Sequence, residues 1–174
     1  MRVLVAAASK HGATAELAER IGADLRAADA RGGEPAEVDV RDAADVRTVA
    51  GYDAAVIGSA VYMGRWLDAA RRLVEREGDA LSAMPVWVFS SGPLGDPPAP
   101  EPSPDTTAAV VARISPRGQR VFAGRLEPAQ LSFVERAMTR AVKAPAGDYR
   151  DWDAVRAWAE EIATALAAEG APGR

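Results

Sequence analysis

The chain has 174 residues, a formal net charge of -4, a single histidine and no cysteine. That length suits one domain with a sizeable core, while the missing cysteines exclude disulfides, zinc–thiolate sites, cysteine-ligated iron–sulfur clusters and thiol catalysis. One histidine argues against a multi-histidine metal centre and the negative balance against nucleic acid as main partner, so redox chemistry would fall to a bound organic cofactor.

The apolar run Val3–Ala8 reads as a buried strand. It meets Ser9-Lys10-His11-Gly12-Ala13-Thr14 and then a helix to about Ala30, with Leu17, Ala18, Ile21 and Leu25 on one stripe. Arg31–Pro35 ends that helix, and Ala36–Val40 is a short second strand. Ala54–Gly58 has the near-continuous apolar character of a strand covered on both faces. A helix is predicted from about Arg65 to Gly78, with Leu67, Ala70 and Val74 along one side. Met84–Ser90 and Gln119–Gly124 are the fourth and fifth strands. Between them, Pro93–Pro104 reads as an extended, proline-rich excursion. The segment Pro128–Lys143 carries Leu131, Val134, Met138 and Val142 on one stripe, with Arg136, Arg140 and Lys143 elsewhere. It suits either a basic helix resting on an anionic surface or a helix packed on the domain with solvated arginines. Asp151 caps a last helix in which Trp152, Val155, Trp158, Ile162 and Leu166 recur at helical spacing.

Strands alternating with helices predict an α/β domain with a parallel, doubly wound sheet. The expected boundaries are 1–168 for the domain and 169–174 for a short tail. Ligands of such sheets bind beyond the carboxyl ends of the strands, where strand order reverses. Three segments follow strands at once: Ser9–Thr14, Gly58–Trp66 and Ser90–Gly95. The first has neither the Gly-Lys-Ser/Thr of a Walker A loop nor the three glycines of a dinucleotide fingerprint. Its two hydroxyls flank a glycine at a helix start, where backbone N–H groups and the helix dipole favour a phosphate.

Ser9-x-x-Gly12-x-Thr14 resembles the phosphate loop of the flavodoxin superfamily, and the order and spacing of the other two segments agree with it. The resemblance implies a three-layer sandwich with a five-stranded parallel sheet of order 2-1-3-4-5, helices on both faces, and FMN as cofactor. Ser9, Lys10, Gly12, Ala13 and Thr14 would then hold phosphate; Ser59, Ala60, Val61, Tyr62 and Gly64 would line one flavin face; and Ser91 with Gly92 would line the other edge. Tyr62 either stacks on the isoalloxazine or packs on the next helix, Lys10 either adds a cation beside the phosphate or points into water, and His11 is a turn residue.

Gly58–Trp66, Val121–Leu126 and Tyr149-Arg150-Asp151-Trp152 further resemble the flavodoxin-domain branch that includes the menaquinone-dependent protoporphyrinogen IX dehydrogenases. This implies an FMN-dependent oxidoreductase acting on a small-molecule redox substrate and a quinone. The alternative is a flavodoxin-type electron carrier with a protein electron partner. No side chain is assigned as catalytic acid or base, because the flavin itself would accept hydride. A cytoplasmic protein with at most peripheral membrane contact, and a possible homodimer, complete the expectation.

Overall fold

A computed structural model describes residues 1–29, 36–62, 64–92, 105–127 and 146–170. In chain order the elements are β1 (Arg2–Ala8), α1 (Ala13–Asp29), β2 (Glu37–Asp42), β3 (Ala54–Tyr62), β4 (Arg65–Trp66), α2 (Asp68–Ser82), β5 (Val86–Ser91), α3 (Asp105–Arg113), β6 (Gly118–Phe122), β7 (Arg125–Leu126), β8 (Gly147–Asp148) and α4 (Trp152–Gly170). Five parallel strands pair in the order β2-β1-β3-β5-β6. With the short β4 set aside, this is the 2-1-3-4-5 order expected for the parallel strands. The order reverses between β1 and β3, whose register places Val5 against Val56 and Ala8 against Ser59.

Alternation along the strands divides the core into two layers. Val3, Val5 and Ala7 of β1, with Val56, Trp87 and Phe89, face α1 and α4, where Leu17, Ile21, Trp158 and Ile162 meet them. Leu4, Ala6 and Ala8, with Ile57 and Val88, face Leu73, Val74 and Leu81 of α2 and Val111 of α3. Covering both faces is what makes β1, β3 and β5 nearly all apolar in sequence. Phe89, Phe122 and Trp158 meet edge to face at centroid distances of 5.6–6.2 Å, which fixes β5 and β6 against α4. Asp151 caps α4 as expected, its Oδ1 accepting from the amides of Asp153 and Ala154 at 3.0 Å.

Three local differences from the sequence reading have physical causes. The third strand does not stop at Gly58 but continues to Tyr62, because β4 folds back antiparallel and pairs Val61 with Trp66 and Tyr62 with Arg65. Gly64, at φ +72°, takes the left-handed conformation in that turn. The following helix therefore starts at Asp68 rather than Arg65, with Leu67 extended before it. Trp66 is drawn inward, its Nε1 donating to Ser90 Oγ at 2.8 Å across the sheet. A helix at Asp105–Arg113 was not anticipated; it has nine residues and only Val110 and Val111 as large apolar side chains, too few to show a period. The expected helix at Pro128–Lys143 and the excursion at Pro93–Pro104 lie outside the described residues.

Gly58 sits where a Cβ would run into the Phe89 ring, itself held by Phe122 and Trp158. Gly58→Ala should therefore destabilise the fold by about 1–3 kcal/mol through overpacking. The measurement is urea unfolding, with a lower midpoint at an unchanged slope expected; an unchanged midpoint would show that the aromatic cluster yields.

Candidate functional site: the carboxyl edge of the sheet

The parallel pairing of β1, β3 and β5 brings their carboxyl ends to one edge, and the turns that follow them converge there. The first runs from Ser9 into α1. Gly12 has φ +84°, and the direction its Cβ would take is open. The first helical hydrogen bond is Glu16 N to Gly12 O at 2.9 Å, so the amides of Ala13, Thr14 and Ala15 lie ahead of it at the positive end of α1. Ser9 Oγ is buried and has no hydrogen-bond partner, the one such side-chain atom among the described residues. Thr14 is buried as well, while Lys10 is exposed. An orphaned hydroxyl beside helix-start amides fits an anion with several acceptor oxygens, and a phosphate group has that chemistry.

The second segment is the β3–β4 hairpin. Ala60, Val61, Tyr62 and Gly64 are each part-exposed along it. Ser59 is wholly buried: its Oγ accepts from Leu67 N at 2.9 Å and donates to Ala60 O at 2.8 Å, so its hydroxyl fastens the hairpin to the start of α2. Tyr62 reaches toward the first turn, with Lys10 Nζ 4.0 Å from its ring centroid.

The third segment closes β5. Ser91 is buried, and Gly92 has φ +145° with its amide donating to Phe122 O at 3.4 Å. A Cβ on Gly92 would come 3.0 Å from Val61 O, and one on Gly124 would come 3.2 Å from Gly92 Cα. Backbones of the second and third segments thus approach as closely as glycine allows. All twelve residues singled out in the sequence lie on these three segments.

A further group escaped the sequence reading. Arg150, with a side chain only 3% exposed, donates through Nε and Nη2 to both oxygens of Asp148 at 2.8 and 2.6 Å. Its Nη1 reaches Glu16 Oε2 at 2.7 Å and Ala13 O at 3.3 Å, and its guanidinium lies 4.5 Å from the Trp152 ring centroid. Arg125 takes Glu16 Oε1 at 3.0 Å. Nothing local signals this set, because Arg150 and Glu16 stand 134 residues apart. The Arg150 hydrogen bond, its largest influence, holds the Glu16 carboxyl below its ordinary pKa; Asp148 is lowered by the same guanidinium, and Arg150 is raised by Asp148.

Carboxyls depressed in the folded state give stability that is present above their unfolded pKa values and lost as pH falls through the folded ones. Folding stability should accordingly be level above the ordinary carboxylate range, near pH 4, and decline below it. Arg150→Gln should flatten that decline. Urea unfolding across this interval checks it, and an equal acid loss in both proteins would contradict it.

The flavodoxin-domain family pattern matches residues 4–153. No curated protein matches the chain. A solved flavodoxin from the domain Archaea superposes with a TM-score of 0.61 at 15% identity, covering 96% of this chain and 99% of its own. An oxidoreductase from Corynebacterium diphtheriae gives 0.62 at 15% identity, covering 98% and 99%. Rubredoxin oxygen:oxidoreductase from Desulfovibrio gigas gives 0.64 at 13% identity, covering 98% of this chain and 37% of that longer protein. Identities this low speak for the fold alone, but the family pattern spans most of the sequence and the sheet order agrees with it: the chain belongs to the flavodoxin-domain family.

Proposed function

We propose that this protein is an FMN-binding redox protein that holds the phosphate in the Ser9–Thr14 turn, with one flavin face on the Tyr62 hairpin and the ring's other edge at the Ser91–Gly92 turn. The observation that carries the reading is the buried, unpartnered Ser9 hydroxyl at the start of α1. A hydroxyl left unpaired costs stability unless a ligand completes it. Gly12 shapes the backbone around that point, Lys10 joins this turn to Tyr62, and Gly92 lets the third segment lie against Val61 of the hairpin. When bound, FMN would supply hydride and electron transfer, which the cysteine-free chain has no thiol or iron–sulfur centre to supply. The chain's own part is to fix the phosphate, present a ring face and exclude water from it.

A finer reading is an oxidoreductase of the quinone-dependent protoporphyrinogen dehydrogenase type. It is supported by the ribbon in which Arg125–Leu126 pairs antiparallel with Gly147–Asp148. That ribbon stands beside the start of α1, where Arg125 and Arg150 both pair with Glu16. The sequence that joins its two strands carries Arg136, Arg140 and Lys143, positive charge that suits an enzyme handling an anionic substrate better than a plain carrier. Among the described residues no helix is long and apolar enough to cross a membrane.

Ser9→Ala should weaken FMN by about 1.5–3 kcal/mol, the worth of a charge-assisted hydrogen bond, or roughly tenfold to a hundredfold. The apo-protein should be no less stable, since the variant only removes an unpaired buried hydroxyl. Calorimetric titration and thermal unfolding of one preparation measure both; unchanged FMN affinity would place the phosphate elsewhere. For the finer reading, anaerobic mixing of the FMN-loaded protein with protoporphyrinogen should bleach the flavin, and a menaquinone analogue should restore its colour. Flavin that stays oxidised under these conditions would favour the electron carrier.

A further inference from the structure

We propose that Arg150 is a positioning residue for the phosphate turn, one that holds the first turn of α1 by its Ala13 carbonyl and keeps the Glu16 carboxylate away from the incoming phosphate. The inference rests on the flavin-phosphate reading above and adds to it a residue far from the turn in sequence.

Glu16 lies in the first turn of α1, where its amide makes the first helical hydrogen bond. A carboxylate there is attracted to the same amides and the same dipole end that a phosphate needs. Left to itself it would compete with a phosphate for those donors and repel its charge. It is not left to itself: Arg150 takes Oε2 at 2.7 Å, and Arg125 takes Oε1 at 3.0 Å and reaches Oε2 at 3.2 Å. Arg150 is in turn locked by its two bonds to Asp148 and lies over Trp152, which opens α4. Its Nε, Nη1 and Nη2 are all committed to protein acceptors, so it acts on a phosphate through Glu16 and Ala13 rather than by touching it. Arginine suits this position because its planar fork can satisfy Asp148 in bidentate fashion and still direct a third nitrogen at α1.

Losing Arg150 would leave Glu16 and Asp148, whose side chains are 47% and 41% exposed, able to hydrate rather than stranded in the core. The substitution should thus affect the phosphate turn before it affects the fold. The test compares FMN with riboflavin, which carries the same ring and no phosphate, in titrations of the full-length protein. Arg150→Gln should lose at least tenfold in FMN affinity with riboflavin unchanged, and adding Glu16→Gln should recover most of that loss, since it removes the competing charge. A merely structural role would lower both flavins together and would not be rescued by Glu16→Gln; either result would overturn the proposal, as would an FMN-to-riboflavin ratio equal to wild type. If Arg150→Gln does not fold, Arg125→Gln serves instead, its side chain being 20% exposed, and should show a smaller loss confined to FMN; an unchanged ratio would again overturn it. Wild-type protein that binds FMN no better than riboflavin would instead sink the phosphate reading, and this inference with it.

Discussion

β3 is hydrogen-bonded to a parallel neighbour on each side, β1 and β5, and this shared direction forces three carboxyl ends onto one edge. After β1 the chain reaches α1 at Ala13, and after β3 it folds back into β4 at Arg65, with Gly12 and Gly64 at positive φ on the way. The strand order reverses between β1 and β3, the place at which doubly wound sheets bind their ligands. The apolar layers on both faces serve this arrangement by fixing strand register, since a slip of one residue would exchange Val5 and Leu4 between opposite cores.

On that frame, the proposed site is assembled from backbone more than from side chains. Gly12 sets the entry to α1, and Gly92 lies in near contact with Val61 and Gly124. Side chains then brace it from behind: Ser59 ties the hairpin to Leu67, and Trp66 ties it to Ser90. The Lys10–Tyr62 contact spans the first two segments. Arg150 connects the start of α1 to the β7–β8 ribbon and to the residue that opens α4, so elements distant in sequence share one electrostatic anchor.

Much of this was legible in the sequence because it is written in local pattern. Val3–Ala8 and Ala54–Gly58 are apolar because both faces are covered, and Leu17, Ile21 and Leu25 repeat because one helix face is. Ser9, Gly12 and Thr14 announce a turn before a helix by residue type alone. The continuation of β3 to Tyr62 was not legible, since it depends on Arg65–Trp66 folding back to pair with Val61 and Tyr62. The bonds of the Ser59 hydroxyl to Ala60 and Leu67 were not legible either, because they depend on how the hairpin meets α2. The Arg150 network is invisible for the same reason, because ion pairs between distant segments leave no periodicity.

The most direct test is a titration of apo-protein with FMN, followed by flavin fluorescence and the visible spectrum. Saturation at one FMN per chain, with quenched emission and a shifted ring absorption, is expected of a flavin with one face on the Tyr62 hairpin and its edge at the Ser91–Gly92 turn. Emission that stays that of free FMN at every protein concentration would contradict a flavin site at the carboxyl edge of this sheet.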